Sequence, residues 1–513
     1  LQAAADLIEA VPIDELDGEK RATYLGTQHA VFAELTDLFA AQSQTNAQAS
    51  WLAFATSERG RARSLRYALN QATRDAALEA PGATRYQQLL QELVHLAAQA
   101  DASRGREALI DAIDQAAVRE RSAEQPLERK QLGQTLEQLH ATLVEYAVGS
   151  RDMFAFIVAG GAVHVVHLGD RHEIASAVGQ LLDRLRDAEA PTSEVRAAAG
   201  RLARLVLWPL GRDLAAKRII FVPDDALHTV PFSVLPWSAE ASAQLVVQHA
   251  ETSVIPSALF LTNVHLAAVA RPEAPRIELI GDPVFRVADW RRKCGVNAAT
   301  ESSSTERATR TLSDWTESLP PLPGARAEVM MVARLAEESR PAGRVETLVG
   351  CAAVPRALRR AANQGAQLLH IATHARIDAQ RPRLSALALT PQAGKDPAPA
   401  AFGLLDILDL KLKSRLVVLS ACDTSRGRLL PGEGVLGPAQ AFLQAGAASV
   451  LASYWRVDDQ ATSSFMQQFY RYLLIDRLSA SAALRKAQLD RARAGPAYEW
   501  AAFALYGWPD SYL

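Results

Sequence analysis

Two short apolar segments in the last third of the chain constrain its fold most strongly. Gln367 to Asp378 reads QLLHIATHARID, and Arg415 to Gly427 reads RLVVLSACDTSRG. Each opens with a run of mostly apolar residues and stops at small or polar ones, as a strand buried on both faces does when it enters a loop. Ligands and reacting groups collect at the carboxyl ends of strands in open parallel sheets. His374 and Cys422 are therefore predicted to share one sheet edge.

A cysteine nucleophile requires at least a thiol and a nearby base, and a thiol and an imidazole at one sheet edge would supply both. The alternative is structural, because free cysteine is among the most buried residue types and is more often packed than reactive. The neighbours of Cys422 favour catalysis. Small residues surround it in LSACDT and again in GEGVLG, from Gly432 to Gly437. They leave room for a substrate backbone, and the amides of the turn can face a developing oxyanion.

Further motifs occur in a recognisable order. They are VEYAVGSRDMFAFIV, RIIFVPDDALHTVPFSVLPW, LPPLPGARAEV, HIATHA, VVLSACDTSRG, GEGVLGPAQAFLQAGAASVLASYWRVDDQAT and YEWAAFALYG. With these motifs the chain resembles the CHAT domain family of caspase-like and separase-like cysteine peptidases. The resemblance covers the chain from about residue 140 to the C-terminus. It implies an α/β fold of caspase-like, parallel-rich sheets flanked by helices, with an inactive half before an active half.

The resemblance also implies roles for single residues. His374 matches the histidine of the family's A-T-H-G motif, and Cys422 matches the cysteine of S-A-C-x-T. Backbone amides of Ala375 and Cys422 are the expected oxyanion donors. Ala375 and Ser425 stand where the family usually has glycine, and either side chain could tighten the mouth of the site. His370, inside the apolar run, is interpreted as a packed strand residue.

The segment from Trp455 to Gln460, WRVDDQ, resembles the W-x-V-x-D segment of separases. This implies Asp459 as the residue that lines the substrate pocket, with Asp458 and then Asp423 as further candidates. A carboxylate there pairs bidentately with guanidinium, which favours arginine over lysine. The alternative is that Asp458 and Asp459 cap the helix predicted from Gln460 to Leu474, and one residue could serve in each role.

The first part of the chain, residues 1–139, is predicted to be an all-α helical-repeat segment. Apolar stripes at helical spacing include Phe32, Leu35, Leu38 and Phe39, and then Tyr86, Leu90, Leu93, Leu96 and Ala100. Trp51 to Leu69 resembles the element that ends a tetratricopeptide array. The segment has room for one or two repeats, which cannot bury a solenoid core alone. We therefore expect the segment to stack on the peptidase or on upstream repeats and to bind a regulatory protein partner.

Four arginines, Arg59, Arg61, Arg63 and Arg66, invite a nucleic-acid interpretation. No matching set of stacking aromatic residues accompanies them, so a solvated or salt-bridged helix face is favoured. Direct nucleic-acid binding is not expected.

Two further domains are predicted, a pseudo-caspase-like half at 140–317 and the catalytic half at 318–513. In the first, strands are predicted at Met153–Val158, Val163–Leu168, Arg218–Val222 and Arg276–Ile280, and helices at Ile174–Leu185 and Glu194–Leu207. His228 follows a strand, but no suitable cysteine accompanies it, so a structural role is favoured. The polar segment Cys294–Ser318 is predicted to be a flexible connection, where Arg307 and Arg310 offer sites for self-cleavage. The loop Pro391–Ala401 is predicted to border the substrate groove.

Composition indicates an ordinary globular protein. The 513 residues suggest about three domains, and 55 basic against 57 acidic residues leave a net charge of -2, which does not point to nucleic acid or membrane. The three cysteines suggest neither a metal site nor a disulfide set, and this predicts a reducing, cytoplasmic compartment. No cofactor motif, signal peptide or membrane-length apolar run is evident. The chain opens with Leu1, so we expect it to be a segment of a longer protein.

The sequence thus predicts a cysteine endopeptidase that cuts protein substrates after a basic residue. The resemblance extends to proteins of bacterial defence and cell-death systems. A scaffold of the same fold that binds partners and cleaves nothing is the competing hypothesis. A nucleic-acid sensor is a third and is supported by the arginine cluster alone.

Overall fold

A computed structural model describes residues 1–10, 24–43, 46–61, 63, 127–214, 216–240, 243–263, 275–286, 289, 294, 315–339, 344–391, 400–421 and 424–513. In the N-terminal part these residues form the helices α1 (Gln2–Ala10), α2 (His29–Gln42), α3 (Ala47–Arg59) and α4 (Arg129–Gln138). Phe32 and Leu35 are buried as predicted, but Leu38 is 49% exposed. The second predicted stripe lies outside the described residues.

The middle of the chain alternates between strands and helices. It contains β1 (Ala141–Val148), β2 (Asp152–Ala159), β3 (Ala162–Asp170), α5 (Arg171–Leu185), α6 (Thr192–Val206), β4 (Arg218–Val222), α7 (Val246–His249), β5 (Glu251–Val254) and α8 (Leu259–Asn263). Short 3-10 segments cover Trp208–Leu214, Asp225–Thr229 and Phe232–Val234.

The remaining elements carry the predicted catalytic segments. They are β6 (Arg276–Pro283), α9 (Pro323–Glu338), β7 (Arg344–Gly350), α10 (Pro355–Asn363), β8 (Leu368–Ala372), β9 (Ala375–Arg376), β10 (Ala386–Ala388), β11 (Ala401–Gly403), α11 (Leu404–Leu408), β12 (Leu416–Ser420), β13 (Arg428–Leu430), β14 (Gly434–Leu436), α12 (Pro438–Gln444), β15 (Ser449–Ser453), α13 (Asp459–Tyr470), α14 (Ala480–Ala494), α15 (Ala497–Trp500) and β16 (Phe503–Gly507). A 3-10 turn, Pro382–Leu384, precedes β10, and a π-helical turn, Arg471–Ile475, extends α13. No helix among the described residues is long and apolar enough to cross a bilayer.

One 11-stranded sheet runs through both predicted halves in the order β3-β2-β1-β4-β5-β16-β15-β12-β8-β6-β7. Its pairs are parallel except between β1, β2 and β3 and between β15 and β16. Buried side chains of α5, α6, α9, α13 and α14 cover one face, and those of α3, α4, α10, α11 and α12 cover the other. This confirms the predicted α/β fold, with a parallel-rich sheet flanked by helices and with helices in the described part of the N-terminal segment.

The cysteine prediction was wrong in one respect. Cys294 and Cys351 form a disulfide, with Cα atoms 5.7 Å apart. Their separation of 57 residues gave no recognisable spacing in the sequence, and only the fold brings Cys294 against the end of β7. The proposed self-cleavage sites Arg307 and Arg310 lie outside the described residues, as does most of the Pro391–Ala401 loop.

Candidate active site

The loops that follow β8, β12 and β15 leave the sheet at one edge. These strands are parallel neighbours, and Ala372 at the end of β8 pairs with Ser420 at the end of β12. His374 comes two residues after Ala372, and Cys422 comes two residues after Ser420 in the sequence. Cys422 and Asp423 lie outside the described residues, whereas Ala421, which directly precedes them, lines a cavity at this edge.

This cavity, called the edge cavity below, is formed by the three strand ends, the start of α9 and the start of α13. Its walls are Leu322, Gly324, Ala325, Glu328, Ala372, Thr373, His374, Ser420, Ala421, Ser453, Trp455, Arg456, Val457, Asp459, Thr462 and Phe503. The sequence placed the histidine, the nucleophile segment and the acidic segment together, and the fold brings the described parts of all three to one cavity.

His374 is held in one orientation at the rim of this cavity. Its Nε2 lies 3.0 Å from the carbonyl oxygen of Pro320, and its ring packs against Phe285 with centroids 5.2 Å apart. Because a carbonyl oxygen only accepts, Nε2 must donate in this hydrogen bond and therefore carries the proton. Nδ1 is the ring nitrogen left to exchange a proton with a reacting group.

The charges around His374 set its protonation. Burial lowers the pKa of the imidazole below its usual 6.5, and Arg456 lowers it further, whereas the hydrogen bond to Pro320 and the carboxylate of Asp459 oppose this shift. At neutral pH the neutral imidazole is therefore favoured, which is the form that can accept a proton from a thiol.

The chain on both sides of Cys422 is fastened to the end of β15. Ser453 Oγ donates to the carbonyl of Ala421 at 3.0 Å, and the Ser453 amide donates to Thr424 Oγ1 at 3.2 Å. Ser425 returns two hydrogen bonds, from its amide and its hydroxyl, to the Ser453 carbonyl at 3.0 and 2.8 Å. Ser425 is 6% exposed. Its side chain is therefore buried against the end of β15, where it anchors the turn, and it does not narrow the mouth of the cavity.

The two neighbouring aspartates at the start of α13 do different things. Asp458 is the N-cap of the helix, and its side chain accepts from the amides of Gln460 and Ala461 at 3.0 and 2.9 Å. Asp459 lines the edge cavity, and no hydrogen bond or ion pair joins its exposed carboxylate to another residue within the described ranges. Capping is thus taken by one residue, and the other is free to meet a ligand.

Two lining residues, Arg456 and Glu328, and the Pro320 carbonyl that orients His374 were not predicted from the sequence. The Pro320 carbonyl could not be found there, because it acts through its backbone. Arg456, an exposed cation beside Asp459, was overlooked within WRVDDQ. Glu328 had a detectable signal, since it occupies a position of the apolar stripe that continues through Val332 and Ala336 on the buried face of α9.

The other candidate residues lie as follows. His370 is fully buried in β8, as predicted, and its Nδ1 is 2.9 Å from the hydroxyl of Tyr470. Ala375 begins β9 without a positive φ, so its Cβ meets no backbone penalty. His228 lies near Asp224 and Arg61, away from the edge cavity. Arg61 is 3% exposed and ion-paired with Glu145 and Asp224.

Comparison with known proteins shows the family. The model of the CHAT domain matches residues 196–508. Tetratricopeptide repeat protein 28 of Mus musculus is 28% identical over 349 residues, which are 58% of this chain and 12% of that protein. The Homo sapiens protein of the same name is 32% identical over 226 residues, 36% of this chain and 8% of that protein. The chain thus spans about a tenth of the length of these curated relatives.

Two solved structures align with this chain. The separase–securin complex of Saccharomyces cerevisiae aligns with 99% of this chain and 39% of that chain, at a TM-score of 0.46 and 10% identity. The Arg-specific cysteine proteinase gingipain R of Porphyromonas gingivalis aligns over 67% of this chain and 75% of that chain, at a TM-score of 0.37 and 9% identity.

Proposed function

Because this chain belongs to the CHAT domain family, we propose that it is a cysteine endopeptidase that cleaves proteins after a basic residue, with arginine favoured over lysine. One observation carries the proposal. His374, oriented by the Pro320 carbonyl, shares the edge cavity with Ala421, the residue before Cys422, and with the carboxylate of Asp459. A base held by a third group beside a nucleophile segment is the arrangement that nucleophilic catalysis requires.

The proposed reaction has two steps. The Cys422 thiol gives its proton to His374 Nδ1 as its sulfur attacks the scissile carbonyl carbon. The imidazolium then protonates the leaving amine as the peptide bond breaks and a thioester forms. A water molecule, deprotonated by the same imidazole, hydrolyses the thioester and restores the thiol. The backbone amides of Ala375 and Cys422 are the proposed donors to the oxyanion in both steps.

Charge in the cavity supports the preference for a basic residue. Among the lining residues that the structure describes, Asp459 and Glu328 contribute two carboxylates and Arg456 contributes one guanidinium. A guanidinium entering the cavity can pair bidentately with a carboxylate, which an ammonium cannot do.

A regulatory protein partner on the N-terminal helices is part of the proposal. Leu7 is 71% exposed, Leu38 49% and Leu52 40%, so α1, α2 and α3 each present an apolar side chain to solvent. Such side chains suit either further helical repeats or a partner protein. Direct nucleic-acid binding through the arginines is disfavoured, since Arg61 is already paired in the interior. Replacing Leu7 and Leu38 by Ser should weaken capture of a partner in a pull-down, and unchanged capture would contradict this site.

The test is cleavage of a peptide library that carries every residue type before the scissile bond. The wild-type chain is compared with Cys422→Ala, His374→Gln and Asp459→Asn. We expect cutting after arginine, then lysine, that disappears in the first two variants. In Asp459→Asn, kcat/KM for arginine substrates should fall at least about 10-fold relative to leucine substrates, which corresponds to about 1.4 kcal/mol. Asp458→Asn is the matched control, because it keeps a capping side chain and does not line the cavity.

The alternative is a scaffold that binds proteins without cleaving them. Wild-type protein that cuts no peptide, with or without a candidate partner, and that leaves Cys422 unreactive toward an arginine-directed acyloxymethyl ketone would favour it. Labelling of Cys422 that depends on His374 would support the peptidase even if the natural substrate stays unknown.

A further inference from the structure

Glu328 is a carboxylate buried in the wall of the edge cavity. It lies on the inner face of α9 and is 4% exposed, whereas Asp459 is exposed in the same cavity. The two acidic side chains therefore stand at different depths, and the exposed cation Arg456 shares the outer level with Asp459.

The buried carboxylate has an oxygen without a hydrogen-bond partner. Glu328 Oε1 is inaccessible to solvent and accepts no hydrogen bond from any residue in the described part of the chain. His370 Nε2 lies 3.2 Å away but is not aligned to donate, and it is itself without a partner there. His370 is oriented from its other side, by its Nδ1 contact with the Tyr470 hydroxyl. A buried carboxylate oxygen in this state has lost its hydration and has no hydrogen bond in its place.

We propose that Glu328 is the inner acceptor for a guanidinium group, and that a substrate arginine reaches it by passing Asp459. This rests on the proposed peptidase function and deepens it. The arginine side chain carries five N–H donors in a planar fork. One edge of the fork can meet Glu328 while the rest remains near Asp459. A lysine ammonium has all its N–H donors on one nitrogen and cannot bind carboxylates at two depths. Glu328 therefore makes the cavity select arginine over lysine.

The competing role for Glu328 is structural, as the ion-pair partner of His370. The two roles predict opposite effects on stability. A structural ion pair, once broken, leaves a buried charge and lowers the melting temperature. A carboxylate kept unpaired for a ligand is a local cost to the free protein, so its neutral isostere should leave the melting temperature unchanged or raise it.

The direct test is calorimetric binding of agmatine, a guanidinium compound, to protein with the Cys422→Ala substitution. Adding Glu328→Gln should weaken agmatine binding at least about 10-fold, and adding Glu337→Gln, an exposed position on the same helix, should not. Butylamine binding should change less than agmatine binding in Glu328→Gln. Unchanged agmatine affinity in Glu328→Gln overturns the proposal. So does a marked loss of melting temperature with affinity unchanged.

Cleavage separates this inference from the function it rests on. If the wild type cuts after arginine and Glu328→Gln keeps the same arginine-to-lysine ratio of kcat/KM, the inference fails and the peptidase stands. If the wild type cuts nothing but agmatine binding depends on Glu328, the peptidase fails and the guanidinium site stands. Should Glu328→Gln not fold, Glu328→Asp can replace it. This substitution keeps the carboxylate but shortens the side chain by one methylene, and it should weaken agmatine binding more than butylamine binding. Equal effects on the two compounds would count against the site.

Discussion

Arg61 holds together a buried cluster of charges where the N-terminal helices meet the sheet. Its guanidinium donates to the Pro223 carbonyl at 2.8 Å and to the Asp224 carboxylate at 3.3 Å, and it lies 3.5 Å from Glu145. Arg61→Met should destabilise the protein by about 3–5 kcal/mol, because it leaves the buried carboxylate of Asp224 without its counter-charge. Urea denaturation measures this.

Arg151→Met is the control for that change. Its side chain is 84% exposed, 3.9 Å from Asp170. Exposed pairs contribute about 1 kcal/mol or less. Equal losses of unfolding free energy in the two variants would contradict a special role for Arg61.

His228 should make stability depend on pH. Burial lowers its pKa from 6.5 to about 4, with Asp224 opposing the shift and Arg61 adding to it. Between these values the unfolded chain binds a proton that the folded chain does not, so the contribution of His228 is present above pH 6.5 and is lost as the pH falls toward 4. Between pH 7 and pH 5 the wild type should lose about 2 kcal/mol more unfolding free energy than His228→Gln. Equal losses would show that His228 does not titrate in this way.

At the residue scale, the sequence indicated which side chains follow the ends of the strands and which one is packed inside a strand. His374 and Asp459 line one cavity, and His370 is core. Roles that arise from packing were out of reach. Nothing in the sequence says that the Pro320 carbonyl fixes the His374 ring, or that Glu328 faces a cavity rather than a neighbouring helix. The roles of Cys422 and Asp423 stay predictions.

Among the elements, the hairpin β13–β14 closes the turn that follows the nucleophile segment. Two glycines, just before β13 and just after β14, allow the backbone at the base of the hairpin to approach closely. A Cβ on Gly437 would lie 2.0 Å from the Arg426 carbonyl oxygen, and one on Gly427 would lie 2.1 Å from that of Leu436. Gly437 has extended backbone angles that any residue can adopt, so lack of space is the constraint. Gly437→Ala should cost about 1–3 kcal/mol of stability by overpacking and should reduce cleavage by displacing the turn.

The matched control for the hairpin is Gly179→Ala. Gly179 is exposed in the middle of α5, and a Cβ there meets nothing within 4 Å. Alanine should stabilise the helix by about 0.5–1 kcal/mol and leave cleavage unchanged. Melting temperatures that move in the same direction in both variants would refute the crowding argument at Gly437.

The long elements were predictable because their apolar residues recur with the period of a strand or of a helix. The strands near 153, 163, 218 and 276 and the helices near 174 and 194 are confirmed, and their ends shift by a few residues. Strands β9, β10, β11, β13 and β14 have two or three residues each. Runs so short contain no alternation to detect, and only long-range pairing defines them.

For the whole molecule, the sheet topology was the least predictable feature. The sequence predicted a sheet-forming region in each half, but strand order depends on contacts between distant segments. β6, which precedes residue 318, lies between β8 and β7. β16, near the end of the chain, lies between β15 and β5 and so joins the two halves. The domain boundary at 317/318 stays a prediction.

Contacts across the β5–β16 seam predict that the two halves unfold together. Arg218, on β4, bonds both Glu251 beside it and Asp510 after β16, each at 2.9 Å. Arg485 of α14 donates to the Val247 and Gln248 carbonyls at 2.8 and 2.7 Å. Separating the halves would expose unpaired edges of β5 and β16 and apolar surface on both. Calorimetry of the intact chain should therefore show one transition for the sheet.

Fragments test the same coupling more severely. A fragment of residues 275–513 produced alone should aggregate through the open edge of β16, and co-production with residues 1–263 should recover a soluble complex of the two. Arg218→Ala should weaken that complex, because it removes the cation that bridges Glu251 and Asp510. Arg184→Ala is the control, since its pair with Glu194 is half exposed and lies within the first fragment. A well-folded, monomeric 275–513 fragment, or two separate calorimetric transitions in the intact chain, would show that the continuous sheet does not make the halves interdependent.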